Sequence, residues 1–450
     1  MAGVSPVDGA QRKVLVVGLG KTGLSCARYL RAAGARVAVT DTRAQPPGLE
    51  RLRVELPDVA LFLGGFDERA FEHADELVVS PGVDLREPPI ARARQRGVPV
   101  GGDIELFARA VHAPVVAITG SNGKSTVTSM VAAMAREERR AVRVGGNLGT
   151  PVLELLDGGE PDLYVLELSS FQLETTRSLN ATAAAVLNFS PDHLDRHDTL
   201  EAYAGAKQRI YRGDGTMVLN ADDPRVMAMA QASRRTVRFT LAAPTDGDFG
   251  LRHQEGEPWL ARGERVLMPV ARMRVPGRHN CANALAALAL GESAGFSMEA
   301  MLGALRHFPG LAHRSQWVVE RDGITWCNDS KATNVGATLA AVQGMPDPVV
   351  LIAGGEGKGQ DFSALRPGLQ GKARAVVLLG RDAPRIEQAL VGAVPVVRAR
   401  DMDEAVSLAR EYAQAGDVVL LSPACASFDM FADYAERGER FMDAVRRLLA

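Results

Sequence analysis

The densest chemistry in the sequence lies at residues 118–126, Ile-Thr-Gly-Ser-Asn-Gly-Lys-Ser-Thr, where an apolar run enters a glycine-rich turn. Such a turn points consecutive backbone N–H groups at one spot, where they can wrap phosphate oxygens. A lysine there adds a cation, and a serine hydroxyl can hold magnesium. Gly120, Ser121, Asn122, Gly123, Lys124, Ser125 and Thr126 are therefore the candidate triphosphate grip. The loop has fewer residues between Gly120 and Gly123 than a standard P-loop, which argues against ordinary GTPases and motor ATPases and for a family with a shortened loop.

Three further residues could work beside that loop. Glu167 ends the run 163–166 and precedes Leu168-Ser169-Ser170-Phe171-Gln172, which puts a carboxylate at a sheet edge where magnesium could sit. Asp192-His193, within 188–195, follows another strand-like run. A lone histidine is more often structural, but this one's place beside the loop and Glu167 favours a metal or substrate contact. Lys207, in Gly205-Ala206-Lys207-Gln208, reads from the residues alone as a solvated lysine on a helix.

A second glycine turn, Gly18-Leu19-Gly20-Lys21-Thr22-Gly23, follows the run 13–17, with Asp41 at the end of the next strand. Close backbone approach and a helix N-terminus suit any nucleotide diphosphate, and by motif alone NAD leads. A tight turn without a ligand is the plainer alternative.

Short β-branched runs alternating with Ala/Leu/Arg-rich stretches call for parallel strands joined by crossover helices, an α/β class with three domains. The first, 1–102, is Rossmann-like: strand 13–17, helix 24–33, strand 36–40 and strand 76–79 before Ser80-Pro81-Gly82. The second, 103–310, is a mononucleotide-binding sheet with strands at 113–119, 163–166, 184–187 and 217–219 and a helix at 125–135. Its polar stretch 243–265 reads as loops or hairpins, and a helix at 280–293 is expected to close it. After the turn at Pro309-Gly310 the third domain, 311–450, is again Rossmann-like, with strands at 349–352, 375–379 and 418–421.

Composition limits the partners. Lys plus Arg number 52 against 54 Asp plus Glu, so no global field grips a nucleic acid or an anionic membrane. The four cysteines, Cys26, Cys281, Cys327 and Cys425, show neither metal-ligand spacing nor a disulfide framework and are expected as buried thiols. Residues 1–12 lack the features of a signal peptide and no apolar run reaches spanning length, so the expectation is a cytoplasmic protein. A monomer is expected.

Taken in order, these marks resemble the Mur ligase family. The shortened loop at 119–126 carries the likeness, together with 18–23, 167–175, His279-Asn280-Cys281-Ala282-Asn283, 328–334 (Asn-Asp-Ser-Lys-Ala-Thr-Asn) and 422–427 (Ser-Pro-Ala-Cys-Ala-Ser). Within the family they resemble the member that adds D-glutamate to UDP-N-acetylmuramoyl-L-alanine in cytoplasmic peptidoglycan precursor synthesis. The resemblance implies that the first domain binds a UDP-sugar and not NAD, through Gly18, Lys21, Thr22, Asp41, Thr42, Ser80, Pro81 and Gly82, with Asn147 and His193 on the rest of that substrate.

For ATP the resemblance implies Lys124 and Ser125 on phosphates, Asn280 and Asn283 near adenine, and His313, Arg314 and Asp329 from the third domain. It implies two magnesium ions on Ser125, Glu167, His193 and a carbamate-bearing Lys207, with Lys124, Glu167, His193 and Lys207 as the catalytic set. D-glutamate is expected at Lys331, Thr333, Lys358, Ser427 and the Phe428 backbone. Tyr434 is expected beside them, standing where the family commonly has phenylalanine.

The implied reaction phosphorylates a carboxylate with ATP, and the amine of D-glutamate then attacks the acyl phosphate, with a hinge near 309–311 closing on ATP. A sister Mur ligase or a folylpolyglutamate synthetase shares the short loop, but 329–333 disfavours both. An NAD-dependent oxidoreductase would leave 120–126 unexplained, and a non-catalytic ATP switch would release no phosphate.

Overall fold

The computed structural model describes residues 12–147, 149–190, 196–197, 199–275, 277–345 and 348–449. It is α/β, built on three sheets of five, nine and six strands. The chain divides into two compact units, 1–252 with 261–266 and 285–304, and 253–260 with 267–284 and 305–450.

In the first unit the five-stranded sheet is wholly parallel, in spatial order Ala60–Leu63, Arg36–Asp41, Lys13–Val17, Glu76–Val79, Val100–Gly101. Strand order reverses between Lys13–Val17 and Glu76–Val79, which opens a crevice at their carboxyl ends. The helix Lys21–Ala32 starts there with Gly20 as its N-cap and no side-chain cap, so its first N–H groups face the crevice without a capping side chain. Gly23 has to be glycine, since a Cβ at that position would sit 1.9 Å from the Gly18 carbonyl oxygen.

In the nine-stranded sheet the strand Val115–Thr119, Val-Val-Ala-Ile-Thr, is buried at every position, as a strand covered on both faces requires. Its parallel neighbours are Leu163–Glu167 and Ala183–Val186. Truncating Ile118 to alanine would cost about 2–5 kcal/mol of packing. Thr119 leads into the phosphate loop, and Gly123, at φ 83°, caps the helix Lys124–Glu137, again with no side-chain cap.

The polar stretch 243–265 resolves into the strands Phe249–Gln254, Glu257–Arg262 and Arg265–Pro269, which extend the sheet edge. Glu255 and Gly256, both at positive φ, form the two-residue turn between the first pair. The expectation that helix 280–293 comes last before the turn at 309–310 needs correction. The helix Arg278–Ser293 is followed by a second, short amphipathic helix, Met298–His307.

In the second unit the sheet order is Gln316–Arg321, Ile324–Asn328, Val418–Leu421, Val349–Gly354, Ala373–Leu379, Val396–Arg398. The first pair is antiparallel and the remainder parallel. That opening hairpin is absent from the sequence reading, yet its second strand delivers Asp329, Ser330 and Lys331. Among the described residues no helix is long and apolar enough to cross a membrane, and all four cysteines are buried and free.

Candidate functional site

In the first unit a cleft of about 690 Å³ is lined by Gly18, Lys21, Thr22, Asp41, Thr42, Ser80, Pro81, Gly82 and Asn147. It also takes in residues that sequence reasoning did not single out, among them Arg43, Phe66 and Val83. Gly18 turns at φ 93°, and its carbonyl accepts from Ser80 Oγ at 2.9 Å, which ties the two loops across the crevice.

Asp41 is already committed. Its carboxylate accepts from the Leu19 amide at 2.7 Å and from the amide and guanidinium of Arg43 at 2.7–2.9 Å. Burial acts to raise its pKa, but these hydrogen bonds outweigh it and hold the carboxyl below the usual aspartate range. A carboxylate so occupied braces the glycine turn and is a poor ribose acceptor, which weakens the NAD reading.

Asn147 connects this cleft to the phosphate loop's sheet. Its Nδ2 donates to Glu167 Oε1 at 2.7 Å, and its backbone N–H donates to the Glu167 carbonyl at 2.8 Å. The close approach needs Gly146, where a Cβ would lie 2.4 Å from that carbonyl. Glu167 is buried, and its Oε2 has no hydrogen-bond partner among the described residues. An orphaned buried carboxylate oxygen is costly unless a cation completes it, so the residues fit magnesium. Among the described residues no three acidic, histidine or cysteine side chains form a metal cage. Magnesium prefers oxygen ligands, so a cation at Glu167 would suit a hydroxyl such as that of Ser125 and phosphate oxygens.

The loop itself is braced from outside. The Ser121 hydroxyl donates to the Ser190 carbonyl at 3.0 Å, and the Asn122 amide donates to Asn188 Oδ1 at 2.8 Å. Lys124 Nζ bonds the carbonyls of Gly120 and Ser121 at 2.9 and 3.1 Å. Ser125 is buried and Thr126 half-buried on the first helical turn. Lys207 corrects the residue-level reading: it is buried, not solvated, with Nζ 2.9 Å from the Gly120 carbonyl and 4.5 Å from the Tyr203 ring centre. Its place on the buried side of the helix Leu200–Gln208 explains this. Asp192 and His193 lie outside the described residues.

His197 was not weighed from sequence. It is buried, stacked on Phe171 at 5.6 Å, with Nε2 3.1 Å from Ser170 Oγ, and so anchors the short helix that follows Glu167.

The second unit gathers the remaining candidates. Asn283 donates to Asn280 Oδ1 at 3.3 Å on one helix. Asp329 is buried and accepts from Ser422 Oγ at 2.8 Å and the Ser315 amide at 3.0 Å; burial, against the pull of these bonds and of Arg314, lifts its pKa to about 7. His313, at φ 60°, receives the Asn328 amide on Nδ1 at 3.0 Å, which leaves its proton on Nε2, and burial depresses its pKa.

Lys331 Nζ stands 3.8 Å from the Tyr434 ring centre, a cation–π contact between two of the residues expected at the amino-acid site. Lys358, at φ 49°, places Nζ 5.1 Å from the ring centre of exposed Phe428, and Ser427 beside it is buried. The Thr333 carbonyl lies 3.5 Å from Gln360 Nε2. His313, Ser315, Lys358 and Ala424 all hold positive φ without being glycine, a concentration of backbone strain typical of functional loops.

Three family models match in order: Mur ligase MurD-like N-terminal domain over residues 12–102, Mur ligase middle domain over 118–291, and Mur ligase glutamate ligase domain over 313–425. With these sheets and loops, the chain belongs to the Mur ligase family.

Two relatives indicate the branch. The UDP-N-acetylmuramoylalanine–D-glutamate ligase of Nitrosococcus oceani is 58% identical over 438 residues, covering 97% of each chain. That of Methylococcus capsulatus is 54% identical over 436 residues, 97% of this chain and 95% of its own. Among solved structures, the UDP-N-acetylmuramate-alanine ligase of Thermotoga maritima matches with a TM-score of 0.59 at 21% identity, over 97% of this chain and 99% of its own. A UDP-N-acetylmuramoyl-L-alanyl-D-glutamate–2,6-diaminopimelate ligase matches at 0.58 and 19%, over 98% and 93%. At such identities the structures speak for the fold alone.

Proposed function

We propose that this chain is an ATP-dependent ligase that joins D-glutamate to UDP-N-acetylmuramoyl-L-alanine in peptidoglycan precursor synthesis, through an acyl phosphate. Relatives bearing that activity in their names, at more than half identity over nearly the full chain, support the substrate pair. The observation that carries the mechanism is the Asn147–Glu167 hydrogen bond of 2.7 Å, which joins the cleft lining to an orphaned carboxylate beside the phosphate loop.

In this reading the cleft holds the uridine diphosphate on the N-terminus of helix Lys21–Ala32 and the loops at 41–42 and 80–82, with Asn147 and His193 on the rest of the acceptor. The acceptor's alanine carboxylate attacks the ATP γ-phosphate, Lys124 and Arg314 stabilise the transferring oxygens, and the backbone amides of 120–126 fix the triphosphate. Two magnesium ions would be held by Ser125, Glu167, His193 and a carbamate on Lys207, and would supply the charge that lets two anions approach.

Asn280 and Asn283 hold adenine, and His313 and Asp329 complete the nucleotide contacts. Lys331, Thr333, Lys358, Ser427, the Phe428 backbone and Tyr434 hold D-glutamate, whose amine then displaces phosphate. We place the reaction in the cytoplasm and take the chain to act as a monomer; among the described residues no helix is long and apolar enough to cross a membrane.

A screen of amino acids for stimulated phosphate release, with ATP, magnesium and the UDP-sugar present, tests the reading. D-glutamate should stand alone among common amino acids; stimulation by lysine or diaminopimelate in its place would assign a sister ligase.

A further inference from the structure

Arg437, on the helix Tyr434–Leu449, is 1% exposed, one of the largest fully enclosed side chains in the protein. A buried guanidinium normally has a carboxylate partner. Here every acceptor is neutral: Nε donates to Ser330 Oγ at 2.9 Å, Nη2 to the Ser330 carbonyl at 2.8 Å and Nη1 to the Cys425 carbonyl at 3.0 Å. Ser330 Oγ in turn donates to the Tyr434 carbonyl at 2.8 Å. Burial lowers the pKa of Arg437 to about 10, which leaves it charged at neutral pH.

One side chain thus ties three segments together: the turn after strand Ile324–Asn328, the loop after strand Val418–Leu421 and the first turn of the last helix. Those segments carry Lys331, Ser427 and Tyr434. The room for the guanidinium is made by Gly355 at φ 127°, where a Cβ would lie 3.3 Å from Nη1 and 2.3 Å from the Ala426 carbonyl oxygen. A tie needed for folding alone is served as well by apolar packing, which commonly replaces a buried charge without loss. The Asp429 carboxylate supports its charge from a distance without a hydrogen bond to it, and retaining a cation so enclosed makes sense beside a ligand that carries two carboxylates.

We infer that Arg437 is a positioning residue for D-glutamate, holding Lys331 and Ser427 at the separation that the two carboxylates of the amino acid require. The inference rests on the functional reading above. No direct contact of Arg437 with the amino acid is needed; it acts through Ser330 and Cys425.

The test compares steady-state constants of the full-length wild type with those of Arg437→Lys, Arg437→Met and Ser330→Ala, alongside thermal melting. Arg437→Lys keeps the charge and loses the fork, so it carries the test if Arg437→Met does not fold. In folded Arg437→Lys the KM for D-glutamate should rise about tenfold, the equivalent of one charge-assisted hydrogen bond, while KM for ATP and the UDP-sugar stay within about twofold. Ser330→Ala should move the same constant in the same direction, and the two changes together should be less than additive.

A fall in kcat with an unchanged KM for D-glutamate, or all three KM values rising together, would mark Arg437 as structural only and overturn the inference. A wild type that releases no phosphate in response to D-glutamate would instead overturn the functional reading on which it rests.

Discussion

Lys124 and Lys207 donate to the same carbonyl oxygen, that of Gly120, each from 2.9 Å. Two side chains 83 residues apart thereby bear on one atom of the phosphate loop, one from the loop's own helix and one from the helix Leu200–Gln208. Lys207 is enclosed, so its chemistry is set by this loop and by the Tyr203 ring rather than by bulk water.

Replacing Lys207 with alanine should therefore reduce phosphate release by at least about a hundredfold, the loss of a group that positions transition-state charge. If the working form is a carbamate, short carboxylic acids should restore part of the activity, and Lys207→Arg should not. Full activity of the alanine variant without additives would rule out a catalytic role.

Asn147→Ala removes the donor that fixes Glu167 Oε1, leaving both carboxylate oxygens to seek partners. The magnesium concentration for half-maximal activity should rise about three- to tenfold, as for loss of an outer-shell ligand-orienting group. A magnesium titration of both proteins is the check, and superimposable curves would detach Asn147 from the metal.

The Asp41 carboxyl titrates below the ordinary aspartate range when folded, so the folded state binds its proton less readily than the unfolded chain does. Its stabilising contribution is complete above the unfolded pKa of about 3.9 and is lost as pH falls through the lower folded value. Asp41→Asn should therefore melt below wild type at neutral pH, and the gap should close only in strong acid.

Asp329 has the opposite sign. Its folded pKa, about 7, lies above the unfolded value, so folding favours its protonated form and stability drains away as pH rises from the ordinary carboxylate range to near 7. The wild-type protein without ligands should lose melting temperature across that window, and Asp329→Asn should largely flatten the slope. Parallel slopes in the two proteins would show that Asp329 is already ionised.

Lys331→Ala should raise the KM for D-glutamate at least about tenfold and leave UDP-sugar binding, measured by calorimetry, within about twofold. Its ammonium lies over the Tyr434 ring, 3.8 Å from the ring centre. Unchanged glutamate kinetics would remove it from the amino-acid site.

The legible part of the molecule was what local chemistry dictates. Glycine turns after buried strands, at 18–23 and 120–126, announce themselves because only helix N-termini and positive-φ backbone make such cradles. Burial was harder to read. Lys207 lies on a helix with no strongly apolar stripe, and only the pairing of strands far apart in sequence brings Gly120 over it. Arg437 is likewise invisible in Glu436-Arg437-Gly438-Glu439, a run that reads as a solvated helix face. The hairpin Gln316–Arg321 with Ile324–Asn328 escaped because its first strand is only partly buried and exposes Trp317, which blurs the alternation expected of a strand. Knowing which substrate fills the first cleft required resemblance, since the physics of a diphosphate cradle is the same for NAD and for a UDP-sugar.

The central claim is that ATP activates the acceptor's own alanine carboxylate at the loop holding Lys124. Its most direct test is to label that carboxylate with heavy oxygen, supply ATP, magnesium and D-glutamate, and weigh the released phosphate and the ligated product. The account predicts one labelled oxygen in the phosphate and one remaining in the new amide; phosphate free of label, with the displaced heavy oxygen found in AMP or water instead, would contradict it.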